Sequence, residues 1–478
     1  MKRIAIIGGG ISGLSAAFAL EEPRRAGAPL EYVLFESSPR LGGVLVTERV
    51  DGCLVEAGPD SFLTEKPWAA DLCRQVGVGD QLIGSNDADR KTHILVQGRL
   101  VAIPDGLMFM VPTKLLPAVF SPLFSLGTKL RMAREWFHPP HKADGDETVA
   151  SLLERHYGAE MVDRLADPLL SGVYGGEASQ LSVRAVLPRF TEMEASHGSL
   201  GRAMLAARKK MVQATDGPAR PLFTSLKDGM QQMVDAVLAH LSPAALRLDT
   251  PVQSVQPQDA GWLVSAGYGS DYFDAVIAAT PAQNSATLLH TTSADLAAEL
   301  RGINYSSSIT VTLGFGRNVR SSLPPGFGFL VPRSEGKRML AATFVHNKFL
   351  HRAPEDRALV RCFLGGARDE QILKLSDDEI LHVVREELRQ IVSLTAEPLF
   401  ARVYRWKGAM AQYGVGHLER IQSIERQCER LPGLALAGNG YHGIGVPDCV
   451  RSGMEAGSKI LLGLGFAVSQ PSKNALLP

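Results

Sequence analysis

The residues best suited to do chemistry stand at the two ends of the chain. Near the amino terminus, RIAIIGGGISG over residues 3–13 places Gly8, Gly10 and Gly13 in GxGxxG spacing, with Gly9, Ile11 and Ser12 between them. A glycine at each of these points serves a bound dinucleotide. Gly8 permits a tight turn, Gly10 lets a pyrophosphate approach the backbone, and Gly13 lets a following helix pack closely on the preceding strand. The free N–H groups at the start of that helix then face the phosphates. The surrounding residues supply the strand and helix that the motif needs: apolar Ile4–Ile7 before it and LSAAFAL after it. A second apolar stretch, LEYVLFE at residues 30–36, ends on Glu36. A carboxylate there accepts both ribose hydroxyls of an adenosine and repels a 2′-phosphate, which disfavours NADP.

The next residues favour FAD over NAD. SSPRLGG at 37–43 follows Glu36 directly, so Ser37, Arg40 and Gly43 put a cation and a flexible turn near the pyrophosphate. In CLVEAGPDSFL at 53–63, the turn Gly58, Pro59, Asp60, Ser61 would bring backbone close to a flavin, although an ordinary β-turn reads the same way. At the other end, residues 434–464 hold a strand, a glycine-rich loop and a helix starting near Pro447–Asp448. Gly438, Gly440 and Gly443 also fit GxGxxG, but no helix starts directly after Gly443 and no strand ending in an acid follows. This strand is expected to return to the first sheet and aim its helix at the flavin. The helix dipole would favour negative charge on the pyrimidine end of the ring, stabilising the reduced anion.

Composition bounds the rest. The chain of 478 residues suggests two to four domains. Lys+Arg and Asp+Glu both number 50, so no overall charge points to nucleic acid. The five cysteines show no CxxC and no zinc spacing, so reduced thiols and no metal are expected. The first core strand begins too early for a signal or transit peptide, and no apolar run is long enough to span a bilayer, which points to the cytoplasm.

Between the two glycine loops, residues 91–103 read as a β-hairpin around Gln97–Gly98, with Arg90 and Lys91 at its entrance. That basic pair is either solvated or available to a substrate. Residues 104–137 include fourteen without charge between Lys114 and Lys129, flanked or followed by Arg131 and Arg134. Broken by Pro117 and Pro122, this run fits a segment lying in a membrane interface, or else the wall of an apolar pocket. Residues 147–206 read as helical and 201–221 as an exposed connection. The strands at 251–281 would complete the first sheet, and 302–365 would form a second. Ser376 is the expected N-cap of a helix over 376–392.

Taken together, the first glycine loop with Glu36, the RLGG turn and the terminal GIGVPDC loop resemble the FAD-dependent amine oxidase superfamily. Within it, EAGPDSF (56–62), GVYGGEASQLSV (172–183), FGFLVP (327–332) and GIGVPDC (443–449) resemble the protoporphyrinogen and coproporphyrinogen oxidases. The resemblance implies an α/β fold: a discontinuous Rossmann-type FAD domain, an α+β substrate domain and a helical membrane-association segment. The boundaries expected are 1–88, 225–285 and 425–466 for the FAD domain and 89–205 for the helical segment. Residues 206–224 would be a connection, 286–424 the substrate domain with an antiparallel sheet, and 467–478 a tail.

The resemblance also implies FAD, dioxygen, and oxidation of protoporphyrinogen IX in three two-electron steps with release of hydrogen peroxide. It assigns FAD contacts to Gly8–Gly13, Glu36, Gly43, Gly58–Ser61, Val252, Trp406, Ile444, Gly445 and Val446. Substrate contacts fall to Phe327, Gly328, Leu330 and Phe363, with Gly172 nearby. Where relatives often carry an arginine, this chain has Thr92, and Arg90, Lys91 or Arg99 would meet the propionates. No general base is assigned, and His442 is the histidine nearest the expected flavin. The partners implied are a membrane surface, a ferrochelatase acting next, and a second copy of the chain, with no nucleic acid. Coproporphyrinogen III is the alternative substrate. An amine oxidase, a carotenoid desaturase or a flavin-binding scaffold without chemistry are the more distant readings.

Overall fold

The computed structural model describes residues 1–108, 110–142, 144–214 and 220–467. Its first sheet is parallel throughout, in the order Leu246–Arg247, Leu30–Phe35, Lys2–Ile7, Ala275–Ala278, Leu434–Leu436. Ile4 and Ile6 lie at its centre, wholly buried. Strands covered on both faces read as unbroken apolar runs, which is why IAII and AVIA are so plain in the sequence.

Two helices from opposite ends of the chain, Ile11–Arg25 and Val446–Gly463, pack side by side on this sheet. Their seam is made of small residues. A Cβ on Gly453 would collide with the carbonyl oxygen of Ser12, and one on Gly457 would stand 2.8 Å from the Ala19 Cβ.

The strands at 251–281 do not all join this sheet. Val252–Gln258, Gly261–Ala266 and Gly269–Phe273 form a separate antiparallel sheet, and only Ala275–Ala278 crosses into the parallel one. Tight hairpins give antiparallel neighbours, whereas a parallel place needs a crossover. The break falls at Asp274, whose carboxylate accepts from Lys2 Nζ and the Arg3 N–H.

The second large sheet has seven strands, in the order Phe400–Gln412, Asn304–Gly316, Arg357–Gly365, Met339–Phe344, Gly328–Leu330, Thr92–Val96, Arg99–Ala102. It is mixed, not purely antiparallel, because Gly328–Leu330 runs parallel to Thr92–Ile94. The 92–102 hairpin, grouped by sequence with the helical segment, is therefore hydrogen-bonded into the substrate sheet. Alternation along the strands gives the sheet two distinct faces. Val311, Phe329, Ala342 and Cys362 pack against Ile380, Val384 and Leu388 of the helix Asp377–Val392. Ser376 caps that helix in a reciprocal box with Glu379.

The opposite face carries two rows across the strands. One row is Thr92, Gly328, Thr343, Arg361, Thr312, Arg402; the other is Ile94, Leu330, Ala341, Phe363, Thr310, Tyr404. This face meets the first domain.

The helical part runs from Leu115 to Ala214. The stretch expected as a connection over 206–224 is helix up to Ala214 and strand again over Phe223–Leu226, with 215–219 outside the described residues. LGRAMLAARKKMVQA is built almost wholly of strong helix formers, so basic charge there did not mean loop. In the apolar stretch 104–137, Leu107–Met108 pairs with Val111–Pro112, and two short helices follow, Leu115–Phe120 and Leu126–Glu135. Leu116, Phe120, Leu126, Leu130 and Phe137 are exposed, Phe120 and Phe137 by 83% and 85%. No helix among the described residues is long and apolar enough to cross a membrane.

Candidate functional site

At the amino-terminal loop the glycines divide into crowded and open positions. A Cβ on Gly13 would collide with the carbonyl oxygen of Gly8, so helix and turn touch there. A Cβ on Gly10 would meet nothing within 4 Å. Gly10 is also the N-cap of the helix Ile11–Arg25, and no side chain caps it. Uncapped N–H groups beside an open approach are the cradle a pyrophosphate requires, so the residues fit the expected cofactor. Gly43 lies against Gly10, and Arg40 turns its guanidinium back onto the carbonyls of Leu41 and Gly43.

Glu36 accepts from the Gly9 N–H at 2.7 Å and the Ser38 N–H at 2.8 Å, while the exposed Ser37 hydroxyl lies 3.3 Å away. The Glu36 backbone binds Arg247 and Thr250, which sets Val252 two residues beyond the strand end where the adenosine is expected.

The turn after residue 56 is held by the second sheet. The Ala57 carbonyl accepts from Trp406 Nε1 at 2.9 Å and Thr310 Oγ1 at 2.7 Å, and the Arg361 guanidinium donates to the Gly58 carbonyl. Pro59 leads into a buried ionic cluster. Asp60 accepts two 3.0 Å hydrogen bonds from Lys348 Nζ and one of 2.7 Å from the Ser61 hydroxyl, with Arg361 at 3.9 Å. Behind them, Arg352 Nη1 lies 3.0 Å from Glu56.

Burial alone would raise the Asp60 pKa. The charges of Lys348 and Arg361, with the hydrogen bonds, instead hold it well below the usual carboxylate range. Three cations against two carboxylates leave one surplus positive charge. It sits behind the turn expected to face the flavin and beside Phe363, whose ring lies 4.9 Å from the Arg361 guanidinium carbon. Such a charge stabilises any negative charge that develops in front of it.

The carboxy-terminal loop is braced from below. Tyr413 donates its hydroxyl to the Asn439 carbonyl at 2.7 Å and accepts the Gly443 N–H at 2.8 Å. Its ring stacks on His417 at 3.9 Å, and His417 Nε2 lies 3.0 Å from the Tyr441 carbonyl. Burial pushes the His417 pKa down to about 4, so a neutral ring donates there near neutral pH. Ile444 and Gly445 lead straight into the helix, and Val446 is its first residue. Asp448, in its first turn, is buried and binds Lys66 Nζ at 2.6 and 2.8 Å. His442 points outward to Glu425 at 2.9 Å.

Around the second sheet, the Phe327 N–H donates to the Lys91 carbonyl at 2.7 Å, so Arg90 and Lys91 stand at the start of the Gly328–Leu330 strand. Arg90 lies 3.7 Å from Asp87. Gly172 is exposed, and a Cβ there would meet nothing within 4 Å. Its helix docks where the Phe363 strand ends, through the Ala367 N–H on the Gly175 carbonyl. At the far end of Gly328–Leu330, Arg333 pairs with Glu177, and Arg368 donates to the Val331 and Lys337 carbonyls.

Sequence reasoning missed Lys66, Lys348, Arg361 and Tyr413. None belongs to a glycine motif, and each gains its role only when segments distant in sequence meet.

The profile of flavin-containing amine oxidoreductases matches residues 11–461. A coproporphyrinogen III oxidase of Bacillus subtilis (strain 168) is 34% identical over 464 residues, covering 96% of this chain and 98% of its own. Protoporphyrinogen oxidase 2 of Arabidopsis thaliana is 27% identical, covering 96% and 94%. The crystal structure of a provisionally named protoporphyrinogen oxidase from Exiguobacterium sp. 255-15 superposes with a TM-score of 0.86 at 31% identity, covering 96% and 99%. The chain belongs to the flavin-containing amine oxidoreductase family.

Proposed function

We propose that the protein uses FAD and dioxygen to oxidise coproporphyrinogen III to coproporphyrin III, with release of hydrogen peroxide. The observation that carries the choice of substrate is the charge at both ends of the Gly328–Leu330 strand. Arg90 and Lys91 stand at one end, Arg333 and Arg368 at the other, and from Gly328 to Arg333 is about 17 Å of extended chain. Coproporphyrinogen carries a propionate on each of its four pyrroles, so a slot for it needs cations on opposite sides. Protoporphyrinogen IX has two, on one edge. The names of the bacterial relatives support the same choice.

FAD, when bound, supplies the two-electron acceptor that takes hydrogen from the macrocycle and passes electrons to dioxygen. The chain's own residues do the rest. Leu330, Ala341 and Phe363 form an apolar row against which one side of the puckered macrocycle lies. The cationic rim orients its carboxylates. The surplus charge of the Asp60 cluster and the amino-terminal end of the helix Val446–Gly463 favour electron gain in front of them. The exposed apolar side chains of the helices Leu115–Phe120 and Leu126–Glu135 hold the protein at a membrane surface.

Anaerobic bleaching of the bound flavin by the two porphyrinogens tests the reading. Coproporphyrinogen III is expected to reduce it at least tenfold more efficiently. Preference for protoporphyrinogen IX refutes the substrate, and no bleaching by either refutes the reaction.

A further inference from the structure

The helical segment holds a cleft that the porphyrinogen reading leaves without an occupant. It opens between the helices Leu126–Glu135 and Val149–Tyr157, with a volume of about 460 Å³. Its lining includes Arg131, Arg134, His138, Glu154, Arg155 and His156. Two of these basic groups already have carboxylate partners. Arg155 donates to Glu147 and Glu194 at 2.7–3.0 Å, and buried His156 sits 3.1 Å from Glu135 and 3.0 Å from Glu194.

Arg131 and Arg134 have no ion-pair partner among the described residues. They stand three apart on one helix, so they share a face. The Arg131 guanidinium lies over the backbone of Gly158, where a Cβ would displace it. Leu126, Leu130 and Phe137 run beside the pair, all strongly exposed.

We propose that this cleft receives the phosphate of an anionic phospholipid headgroup while the adjoining apolar side chains enter the acyl region. The inference rests on the membrane-surface reading above and adds the lipid it selects. Two unpaired guanidinium groups beside an exposed apolar stripe match the two layers of a bilayer surface: phosphates outside, hydrocarbon beneath. The cleft volume is that of a small-molecule site. Glu154 at the rim is a carboxylate without an ion-pair partner among the described residues. It accepts hydrogen bonds from the hydroxyls of a glycerol headgroup, which points to phosphatidylglycerol and away from a bare phosphate.

The test floats full-length, FAD-loaded protein with vesicles of phosphatidylcholine alone and of phosphatidylcholine mixed with phosphatidylglycerol. Phosphatidylglycerol is expected to raise the bound fraction. Arg131→Gln with Arg134→Gln should cut partitioning onto the mixed vesicles roughly 30-fold, about fivefold per arginine. The variant should leave turnover of detergent-dispersed substrate unchanged, which shows that it folds. Leu130→Ser with Phe137→Ser should cut partitioning onto both kinds of vesicle.

Equal flotation with both lipids, or a double glutamine variant that floats like wild type, overturns the headgroup site alone. Inorganic phosphate that binds wild type and not the double glutamine variant, while phosphatidylglycerol fails to raise flotation, overturns the lipid as source. Wild type that floats with neither vesicle overturns the membrane reading and the site together.

Discussion

Replacing Asp60 with Asn probes whether the ionic cluster behind the flavin turn holds the two domains together. The carboxylate is almost buried, Lys348 is 11% exposed and Arg361 5%. Asparagine keeps the shape but removes the charge that offsets both cations. Breaking a buried pair by deleting one partner costs about 3–5 kcal/mol, because the remaining charge is left without compensation. At about 2 °C per kcal/mol for a long chain, the FAD-loaded protein should melt about 6–10 °C lower. Removing Lys348 as well, as Asp60→Asn with Lys348→Met, should recover part of that loss, since each group is costly chiefly without the other.

The effect also has a pH signature. The folded-state pKa of Asp60 is depressed, so its stabilisation is fully present above the unfolded value near 3.9 and is lost as pH falls through the folded value. The gap between wild type and Asp60→Asn should therefore close in acid below about pH 4. Thermal melts followed by flavin fluorescence across pH measure it. A variant that melts like wild type at pH 7, or a gap that persists unchanged into acid, refutes the reasoning.

Other substitutions test the remaining parts of the site. Gly13→Ala forces a methyl group into the Gly8 carbonyl, so the purified protein should lose most of its bound FAD, read as the ratio of flavin to protein absorbance. Tyr413→Phe strips the Gly443 N–H and Asn439 carbonyl of a buried partner, a cost of about 2–4 kcal/mol that should appear as faster FAD release with little change in KM for the porphyrinogen. On the proposed substrate, Arg333→Met should raise KM for coproporphyrinogen III roughly tenfold and leave kcat nearly intact, as expected of a propionate contact made equally before and during reaction.

The cofactor end of the molecule was legible because it is local. Gly8–Gly13 and Glu36 lie on one strand, one helix and the next strand, where spacing alone sets geometry. Helix ends were legible for the same reason, as the Ser376 box with Glu379 shows. The floor of the site was not. Asp60 stands 288 positions from Lys348 and 301 from Arg361, and neither cation has a neighbour in sequence that marks it. Residues 91–103 read as a hairpin from sequence alone, but their place in the seven-stranded sheet depends on the parallel pairing with Gly328–Leu330, which no turn specifies. The strands at 252–273 are legible as strands but not by sheet, because alternation tells which residues face inward and not which sheet receives them.

The seam between the first helix and the last has a consequence for how the protein comes into being. Ser12 and Gly453 touch across 441 positions of sequence. At 5–20 residues per second, synthesis leaves the pyrophosphate loop waiting roughly 20–90 s for the helix that packs beside it. Throughout that interval the growing chain exposes an apolar helix face and an unpaired edge of the parallel sheet. Contacts so distant in sequence also slow folding once the chain is complete. Exposed apolar surface and open strand edges of this kind are what chaperones shield. On the proposed site, whose flavin end is closed by the helix Val446–Gly463, a chain that stops early lacks one wall of the cofactor cradle.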